Sequence, residues 1–229
     1  MRLLRAVSLL ALGLAANPAT AEQSTRPIVL ELFTSQGCSS CPPADALLRD
    51  IVRDRPDVLA LAFHVTYWDR LGWPDPFALP AATERQRGYT RISHAGTIYT
   101  PQLVVEGTRD LVGSDRPAVL AALKTATPST AATLRLTDTP EGVRIEIGPG
   151  QGVGRVLLVG YDPEHRTAVA RGENAGRSLV EANIVRGLDE AGVWNGAALI
   201  LKRPRPAGIK LAVILQAPDG RILAAAKGG

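Results

Sequence analysis

Residues 27–48, PIVLELFTSQGCSSCPPADALL, decide the fold expected from the sequence. The first seven residues form an almost continuously apolar run, which is typical of a β-strand buried on both faces. From Ala44 the apolar residues recur every three or four positions, as on one face of an α-helix, and two prolines stand where a first helical turn tolerates them. The segment therefore predicts a strand that leads directly into a helix, with Cys38 and Cys41 at the joint.

A second buried strand is predicted after the helix, at Val58 to Val65 (VLALAFHV). A strand, a helix and a strand in this order imply a right-handed crossover and a parallel pair of strands. The elements predicted next are a helix, two short strands and a last helix, at 81–92, 103–105, 110–112 and about 114–126. We therefore expect an α/β domain over residues 27–126.

The period of the apolar residues drops to two beyond a short linker at 127–130. Val143 to Ile147 alternates between apolar and polar residues, which indicates a strand with one buried face. Further strand-like runs follow at about 155–161, 166–171, 178–186, 197–202, 209–216 and 221–226. Because no helical pattern lies between them, we expect an all-β sandwich of roughly seven or eight strands over residues 131–229.

Residues 1–21 have the pattern of a secretory signal peptide. Arg2 and Arg5 precede an apolar stretch at 6–16, and Ala19-Thr20-Ala21 forms a small-x-small cleavage site. The apolar stretch is too short to span a bilayer, and the alternative is a buried N-terminal helix. Cleavage near Ala21 would give a periplasmic or secreted protein without a membrane span, in an oxidising space where cysteine pairs persist as disulfides.

Composition and charge exclude several classes of function. Without Arg2 and Arg5, 24 basic side chains face 22 acidic ones, and no basic run is dense enough to follow a nucleic-acid backbone. Two cysteines are too few for a disulfide-stapled small fold or a four-cysteine zinc site. The common hydrolase motifs G-x-S-x-G and H-E-x-x-H are missing from the sequence, and nothing in it implies an organic cofactor.

The C-x-x-C pair is the main candidate site. At the N-terminus of a helix, unpaired N–H groups and the helix dipole favour an anion, which lowers the pKa of the first cysteine. Cys38 would then attack as a thiolate, and Cys41, one turn later, would resolve the mixed disulfide. Three alternatives stay open: a structural disulfide, a copper or zinc site completed by a histidine, and a pair retained in a binding module without redox activity.

Two further positions have chemical potential in this setting. Glu31 lies in the predicted central strand, where a buried carboxyl has a raised pKa and could take the proton of Cys41; alternatively it faces a polar groove and pairs with an arginine. Thr100-Pro101 stands at the entrance of the third strand. Proline is poor inside a central strand, so this position suggests a special bond, such as a cis peptide.

A strand, a C-x-x-C motif that opens a helix, and a proline before a strand hairpin and a final helix together resemble the thioredoxin fold. The resemblance implies that Pro101 is cis and faces the cysteines, and that Thr100 and Pro101 bind the substrate chain. It also implies a role for Glu31 as the buried acid of that family. The sequence departs from the thioredoxin pattern at Ser39-Ser40, between the cysteines, and at Gly37, where an aromatic residue is usual.

The chain also resembles, along nearly its whole mature length, the secreted bacterial family known as domain of unknown function 1223. The similar segments are ELFTSQGCSSCPPAD (31–45), TYWDRLGWPDPF (66–77), TERQRGYT (83–90), YTPQLVVEG (99–107) and RGENAGRSL (171–179). This resemblance implies a fold and a location outside the cytoplasm, and it leaves the substrate open.

Seven of the ten aromatic residues lie between Phe63 and Tyr99, many of them in an irregular segment after the second strand. Trp68 and Trp73 would form a pocket wall or a lid beside the cysteines; the alternative is that the segment packs on the body of the protein. His64, at the end of the second strand, is expected to be a buried core histidine rather than a ligand. A polar group at 171–177 is either a solvated loop or the place where the two halves meet.

These observations favour an exported thiol–disulfide oxidoreductase. Its catalytic residues would be Cys38, Cys41 and Glu31, and Thr100, Pro101, Trp68 and Trp73 would bind the substrate. Its partners would be exported proteins with thiols or disulfides and a redox partner protein. The alternative function is a copper- or zinc-binding module, or a binding module without redox activity.

Overall fold

A computed structural model describes residues 26–93 and 96–228. The predicted signal peptide at 1–21 and its cleavage site lie outside the described residues. In the described part of the chain, no helix combines the length and the apolar character needed to cross a bilayer.

The described residues form three α-helices, one 3₁₀ turn (Asp69–Leu71) and eleven β-strands. The helices are α1 (Pro42–Asp54), α2 (Pro80–Ser93) and α3 (Arg116–Thr125). The strands are β1 (Ile28–Thr34), β2 (Val58–His64), β3 (Gln102–Val105), β4 (Arg109–Val112), β5 (Leu134–Thr139), β6 (Gly142–Ile147), β7 (Gly154–Ala168), β8 (Ser178–Trp194), β9 (Leu199–Arg203), β10 (Lys210–Gln216) and β11 (Ile222–Lys227).

The first unit, β1-α1-β2, forms as the sequence predicts. β1 and β2 pair in parallel, with Ile28 opposite Val58 and Thr34 opposite His64, and all residues of both strands are buried. The helix α1 begins directly after Cys41 and lays its apolar face on this pair. Because both strands end at the same edge of the sheet, the C-x-x-C loop and His64 lie close together.

Four strands of the second half, β7, β8, β10 and β11, join the sheet of the first half instead of forming a separate domain. Eight strands make one mixed sheet, in the order β11-β10-β7-β8-β2-β1-β3-β4, and β8 pairs in parallel with β2 at Ala62 and Ile184. The side-chain amide of Asn183 strengthens this junction by donating to the carbonyl oxygen of Ala60 (2.8 Å). The prediction of an α/β thioredoxin-like domain followed by an all-β sandwich is therefore wrong.

The physical reason lies in the apolar runs of β7 and β10. Residues 156–161 and 211–216 are continuously buried, which is the pattern of strands covered on both faces. On one face they pack with α2, through Ala82 and Tyr89. The small sheet β5-β6-β9 covers the other face, through the inward side chains of β6.

A close contact of two turns ties the ends of the large sheet together. Gly107, between β3 and β4, has a φ of +72°, and a β-carbon there would lie 1.9 Å from the carbonyl oxygen of Gly220, between β10 and β11. Nearby, the guanidinium of Arg26 binds the carboxylate of Glu106 and donates to the carbonyl oxygen of Ile222 (3.1 Å). Only glycine at position 107 permits this approach.

Substituting Gly107→Ala should lower the free energy of unfolding by about 2–3 kcal/mol, because the new methyl group meets backbone that cannot rotate away. The matched control is Gly88→Ala in α2, where only the end of the flexible Arg91 side chain comes within 4 Å. Alanine in a helix interior should stabilise the control by up to about 1 kcal/mol. Urea unfolding curves measure both effects, and equal midpoints for the two variants would contradict this account of the turn contact.

Candidate functional site

Cys38 and Cys41 lie at the joint between β1 and α1 and form a disulfide, with a sulfur–sulfur distance of 2.21 Å. Both cysteines are 0% exposed, whereas Ser39 and Ser40 between them face solvent. A reactive partner therefore meets the two serines first, and the sulfurs lie beneath them.

Few backbone donors at the start of α1 remain free to stabilise a thiolate. The prolines that follow Cys41 have no N–H group, and the N–H groups of Ala44 and Asp45 donate to the carbonyl oxygen of Cys41 (2.8 and 3.1 Å). The N–H of Cys41 itself donates to the carbonyl oxygen of Cys38 (3.2 Å). The hydroxyl of Ser40 lies 3.3 Å from the sulfur of Cys38 and is a side-chain donor within reach.

Residues 169–177, which connect β7 and β8, contact the C-x-x-C loop and are called the capping loop here. The amide nitrogen of Asn174 donates to the carbonyl oxygens of Gln36 and Cys38 (2.9 Å each). Asn174 is fully buried, and its amide oxygen has no partner among the described residues. The neighbouring Glu173 accepts a hydrogen bond from the backbone N–H of Ser39 (3.0 Å). The polar group at 171–177 is thus where the second half of the chain meets the cysteines.

Trp68 and Thr100 lie together beside the C-x-x-C loop. The indole N–H of Trp68 donates to the hydroxyl of Thr100 (2.8 Å), and a β-carbon at Gly37 would lie 3.2 Å from the β-carbon of Trp68. The Thr100–Pro101 bond is cis. The structure thus places Trp68 against the residue that precedes Cys38 and joins Thr100 to Trp68.

Trp73 contacts both the loop before the cysteines and the capping loop. Its indole N–H donates to the side-chain oxygen of Gln36 (3.1 Å), and its β-carbon lies 3.1 Å from the position that a β-carbon at Gly172 would take. These contacts are packing of the aromatic segment on the body of the protein. They also make Trp73 part of the wall around the C-x-x-C loop.

Glu31 lies on the face of β1 opposite to α1 and is held there by other groups. Arg85 binds its carboxylate with two nitrogens, one of them at 2.7 Å, and the hydroxyl of Tyr89 donates to it (2.6 Å). Arg85 also donates to the side-chain oxygen of Gln216 (3.1 Å). Of the two alternatives for Glu31, the structure therefore has the pairing with an arginine.

A cluster of buried polar groups, which the sequence did not reveal, lies beneath the C-x-x-C loop. His64 pairs through Nδ1 with Asp75 (2.7 Å), and its Nε2 lies 3.7 Å from a carboxylate oxygen of Glu181. Gln36 joins both acids, because its backbone N–H donates to Asp75 (2.8 Å) and its side chain donates to Glu181 (2.6 Å). The sequence indicates this cluster at one position, Glu181, where a charged residue stands inside a largely apolar strand.

Asp45, in the first turn of α1, is a third buried carboxyl near the cysteines. It accepts a hydrogen bond from the hydroxyl of Thr34 (2.8 Å), at the end of β1. Burial and the charge of Glu181 raise the pKa of Asp45 to about 7. Asp45 therefore exchanges its proton near neutral pH, one helical turn from Cys41.

The charge of the cluster depends on His64. Burial alone lowers the pKa of His64, but the carboxylates of Asp75 and Glu181 outweigh it and raise that pKa to about 9. Burial raises the pKa of Asp75, but the His64 imidazolium outweighs it and lowers that pKa below its usual value. The His64 ion pairs contribute to stability in full below pH 6.5, and this contribution is lost as the pH rises through 9.

We expect NMR titration to show that the His64 imidazole keeps its proton at neutral pH and loses it near pH 9. The substitution Glu181→Gln should lower the pKa of His64, because it removes a negative charge that stabilises the imidazolium. Glu164→Gln, which removes an exposed carboxylate of β7, is the control. A His64 that titrates near pH 6.5 in the wild type, or equally in both variants, would refute the ion-pair cluster.

The copper or zinc alternative gains no support from the arrangement of ligands. Among residues 26–93 and 96–228, no group of three or more His, Cys, Asp or Glu side chains is arranged to hold a metal ion. Of the three histidines in the sequence, His94 lies outside the described residues.

Comparisons with known proteins found a matching family model and similar solved structures. A family model described as "Protein of unknown function (DUF1223)" matches residues 29–216. A protein of Agrobacterium tumefaciens of known crystal structure is 32% identical, with a TM-score of 0.73 over 87% of this chain and 92% of that one. HBP35 of Porphyromonas gingivalis, at 14% identity and a TM-score of 0.56 over 88% of this chain and 74% of that one, is similar in fold only. No curated protein matches the chain.

Proposed function

Since the chain belongs to the DUF1223 family of proteins of unknown function, we propose its activity from the site itself: thiol–disulfide exchange through Cys38 and Cys41. The observation that carries the proposal is the disulfide between these cysteines at the joint of a buried strand and a helix. The end of β1, the start of α1 and the capping loop surround a disulfide that spans only four residues. A cross-link that only stapled a surface loop would not need these three elements around it.

A purely structural role explains the disulfide less well. Closing a four-residue loop restricts the unfolded chain by only about 2 kcal/mol. The same loop is already held by the hydrogen bonds from Asn174 to the carbonyl oxygens of Gln36 and Cys38. A disulfide adds little stability to a loop that is fixed in this way. Redox chemistry therefore explains the presence of the two cysteines better than stability does.

In the reductive direction, the thiolate of Cys38 attacks one sulfur of a partner disulfide and releases the other partner sulfur as a thiolate. Cys41 then loses its proton and attacks the sulfur of Cys38, which releases the second partner thiolate and forms the Cys38–Cys41 disulfide. Ser40 supports the first step, because its hydroxyl can donate to the sulfur of Cys38.

Asp45 is the proton acceptor of the second step in this proposal. It follows Cys41 by one helical turn, is buried, and has a pKa near 7, which suits proton exchange at neutral pH. Glu31, for which the sequence suggested this role, is bound by Arg85 and Tyr89 on the other face of β1. Asp45 therefore takes the place of Glu31 in the mechanism.

The partner chain is proposed to bind at Thr100 and Pro101, with Trp68 and Trp73 as the neighbouring apolar surface. The hydrogen bond between Trp68 and Thr100 and the contact of Trp73 with Gln36 support this arrangement. The partners are proposed to be exported proteins with thiols or disulfides. This matches the secretory signal expected at 1–21 and a periplasmic or secreted location.

The substitution Cys41→Ser should trap a mixed disulfide between Cys38 and a partner, because no second thiol remains to resolve it. Cys38→Ser should abolish exchange with a model disulfide and trap nothing. Non-reducing gels and mass spectrometry of the two variants measure this directly. Trapping through Cys41 in the Cys38→Ser variant would reverse the two roles, and failure of both the wild type and Cys41→Ser to react would refute the function.

Replacing the proposed proton acceptor by Asp45→Asn should lengthen the lifetime of a wild-type mixed disulfide about tenfold near neutral pH, because asparagine accepts no proton from Cys41. Asparagine keeps an oxygen for the Thr34 hydroxyl, so the packing stays close to the original. Asp54→Asn, at the exposed end of α1, is the control, and stopped-flow thiol trapping measures the lifetimes. Equal lifetimes in both variants would exclude Asp45 from the step.

Asp45→Asn should also change how stability depends on pH. Because burial raises the pKa of Asp45 from 3.8 to about 7, its ionisation costs stability progressively between these two values. The variant should therefore gain stability over the wild type as the pH rises from 4 to 7, which urea unfolding curves at several pH values measure. A stability difference that stays constant over this range would contradict the raised pKa of Asp45.

A further inference from the structure

The direction of electron flow follows from the groups around Cys38, if the cysteines exchange as proposed above. A C-x-x-C pair is easily reduced when hydrogen-bond donors and positive charge stabilise its thiolate. A pair without such stabilisation favours its disulfide and acts, when reduced, as an electron donor. The direction therefore depends on the hydrogen-bond donors and charges that lie near the sulfur of Cys38.

The hydroxyl of Ser40, 3.3 Å from the sulfur of Cys38, is a side-chain donor within reach, but the backbone offers little to a Cys38 thiolate. Two prolines occupy the first positions of α1, and the N–H of Cys41 is bound to the carbonyl oxygen of Cys38. The N–H of Ser39, directly after Cys38, donates to the carboxylate of Glu173. This N–H is therefore not free to donate to the sulfur of Cys38. The capping loop thus takes up one donor next to the nucleophile and puts a negative charge in its place.

The charge of Glu173 is maintained at neutral pH. Hydrogen bonds from the hydroxyl and the backbone N–H of Ser39 lower the pKa of this exposed carboxyl below its usual value. Asn174 keeps Glu173 in position, because its buried amide fixes the capping loop to the carbonyl oxygens of Gln36 and Cys38.

On the inner side of the loop, the buried imidazolium of His64 is paired with Asp75, and its Nε2 lies 3.7 Å from a carboxylate oxygen of Glu181. Asp45 adds a further carboxyl in the first turn of α1. Among the described residues beneath the loop, the buried acids therefore outnumber the one positive group.

We infer that Glu173, held by Asn174, is a positioning residue that shifts the Cys38–Cys41 pair towards its disulfide, so that the dithiol form of this protein is a reductant of partner disulfides. In each cycle the two thiols lose two electrons to the partner disulfide, and their two protons pass to the partner thiolates. The Cys38–Cys41 disulfide is then reduced again by a dithiol electron-donor protein, which becomes a disulfide in turn.

Two variants of Glu173 separate its charge from its hydrogen bond. Glu173→Ala removes both and frees the Ser39 N–H, whereas Glu173→Gln keeps an acceptor for this N–H and removes only the charge. Glu141→Ala, an exposed carboxylate in the turn before β6, is the matched control. The full-length protein is equilibrated with reduced and oxidised glutathione, from both the dithiol and the disulfide form, and the thiols are counted by alkylation.

The wild-type pair should be mainly disulfide in a buffer with equal concentrations of the two glutathione forms. Glu173→Ala should lower its equilibrium constant for oxidation about two- to fivefold, the size expected of one charge near a helix N-terminus, and Glu173→Gln should have a smaller effect. The pKa of Cys38, from alkylation rates against pH, should fall in the same order. Glu141→Ala should change neither quantity.

Each other outcome overturns a different statement. A wild-type pair that stays mainly dithiol in this buffer would make the protein an oxidant and overturn the direction of electron flow. Equal equilibrium constants for oxidation and equal Cys38 pKa values in Glu173→Ala and Glu141→Ala would show that Glu173 does not shift the redox equilibrium and is purely structural. Failure of the wild type to reach the same equilibrium from both forms would refute thiol–disulfide exchange itself, and this inference with it.

Discussion

The site depends on one buried side chain, the amide of Asn174, which donates to the carbonyl oxygens of Gln36 and Cys38. Breaking this contact would leave the carbonyl oxygen of Gln36 without a donor among the described residues, which costs about 1–3 kcal/mol, and would leave that of Cys38 with only the N–H of Cys41. Asn174 reaches this position only because β8 joins the sheet beside β2. The loop between β7 and β8 is then carried to the edge where β1 and β2 end, and both halves of the chain build one site.

The buried charges beneath the C-x-x-C loop are a second constraint on the structure of the site. A buried imidazolium at His64 lies between the carboxylates of Asp75 and Glu181, and Asp45 titrates near neutral pH beside them. Removing one partner from such a group leaves an uncompensated buried charge, which is strongly destabilising. Gln36, two residues before Cys38, connects the C-x-x-C loop to this cluster, because it bonds to both acids.

The sequence was sufficient for the local structure around the cysteines. The apolar run before Cys38 and the helical period after Cys41 predicted β1 and α1 to within two residues, and the proline at 101 suggested the cis bond that the structure has. These features are local, since a strand, a helix start and a proline bond each depend on neighbours in the chain.

The assembly of the second half could not be predicted in the same way. The period of two in β6 and the apolar runs of β7 and β10 predicted strands, but a strand does not specify its neighbour in the sheet. The contacts of Asn174 and Glu181 with residues more than a hundred positions earlier follow from that pairing alone. The signal in the sequence is the unbroken run VLLVGY at 156–161, because a sandwich strand with one solvent face would alternate between apolar and polar residues.

Cys38 and Cys41 are proposed to be a working redox pair and not a fixed cross-link. The most direct measurement is the redox state of the pair in cells that make the protein at its natural level, with thiols trapped by acid and alkylated at once. A working reductant should be found partly as the dithiol, and removal of its electron donor should convert it to the disulfide. A pair that is entirely disulfide in every growth condition, and that strong reductants open only after unfolding, would contradict the account.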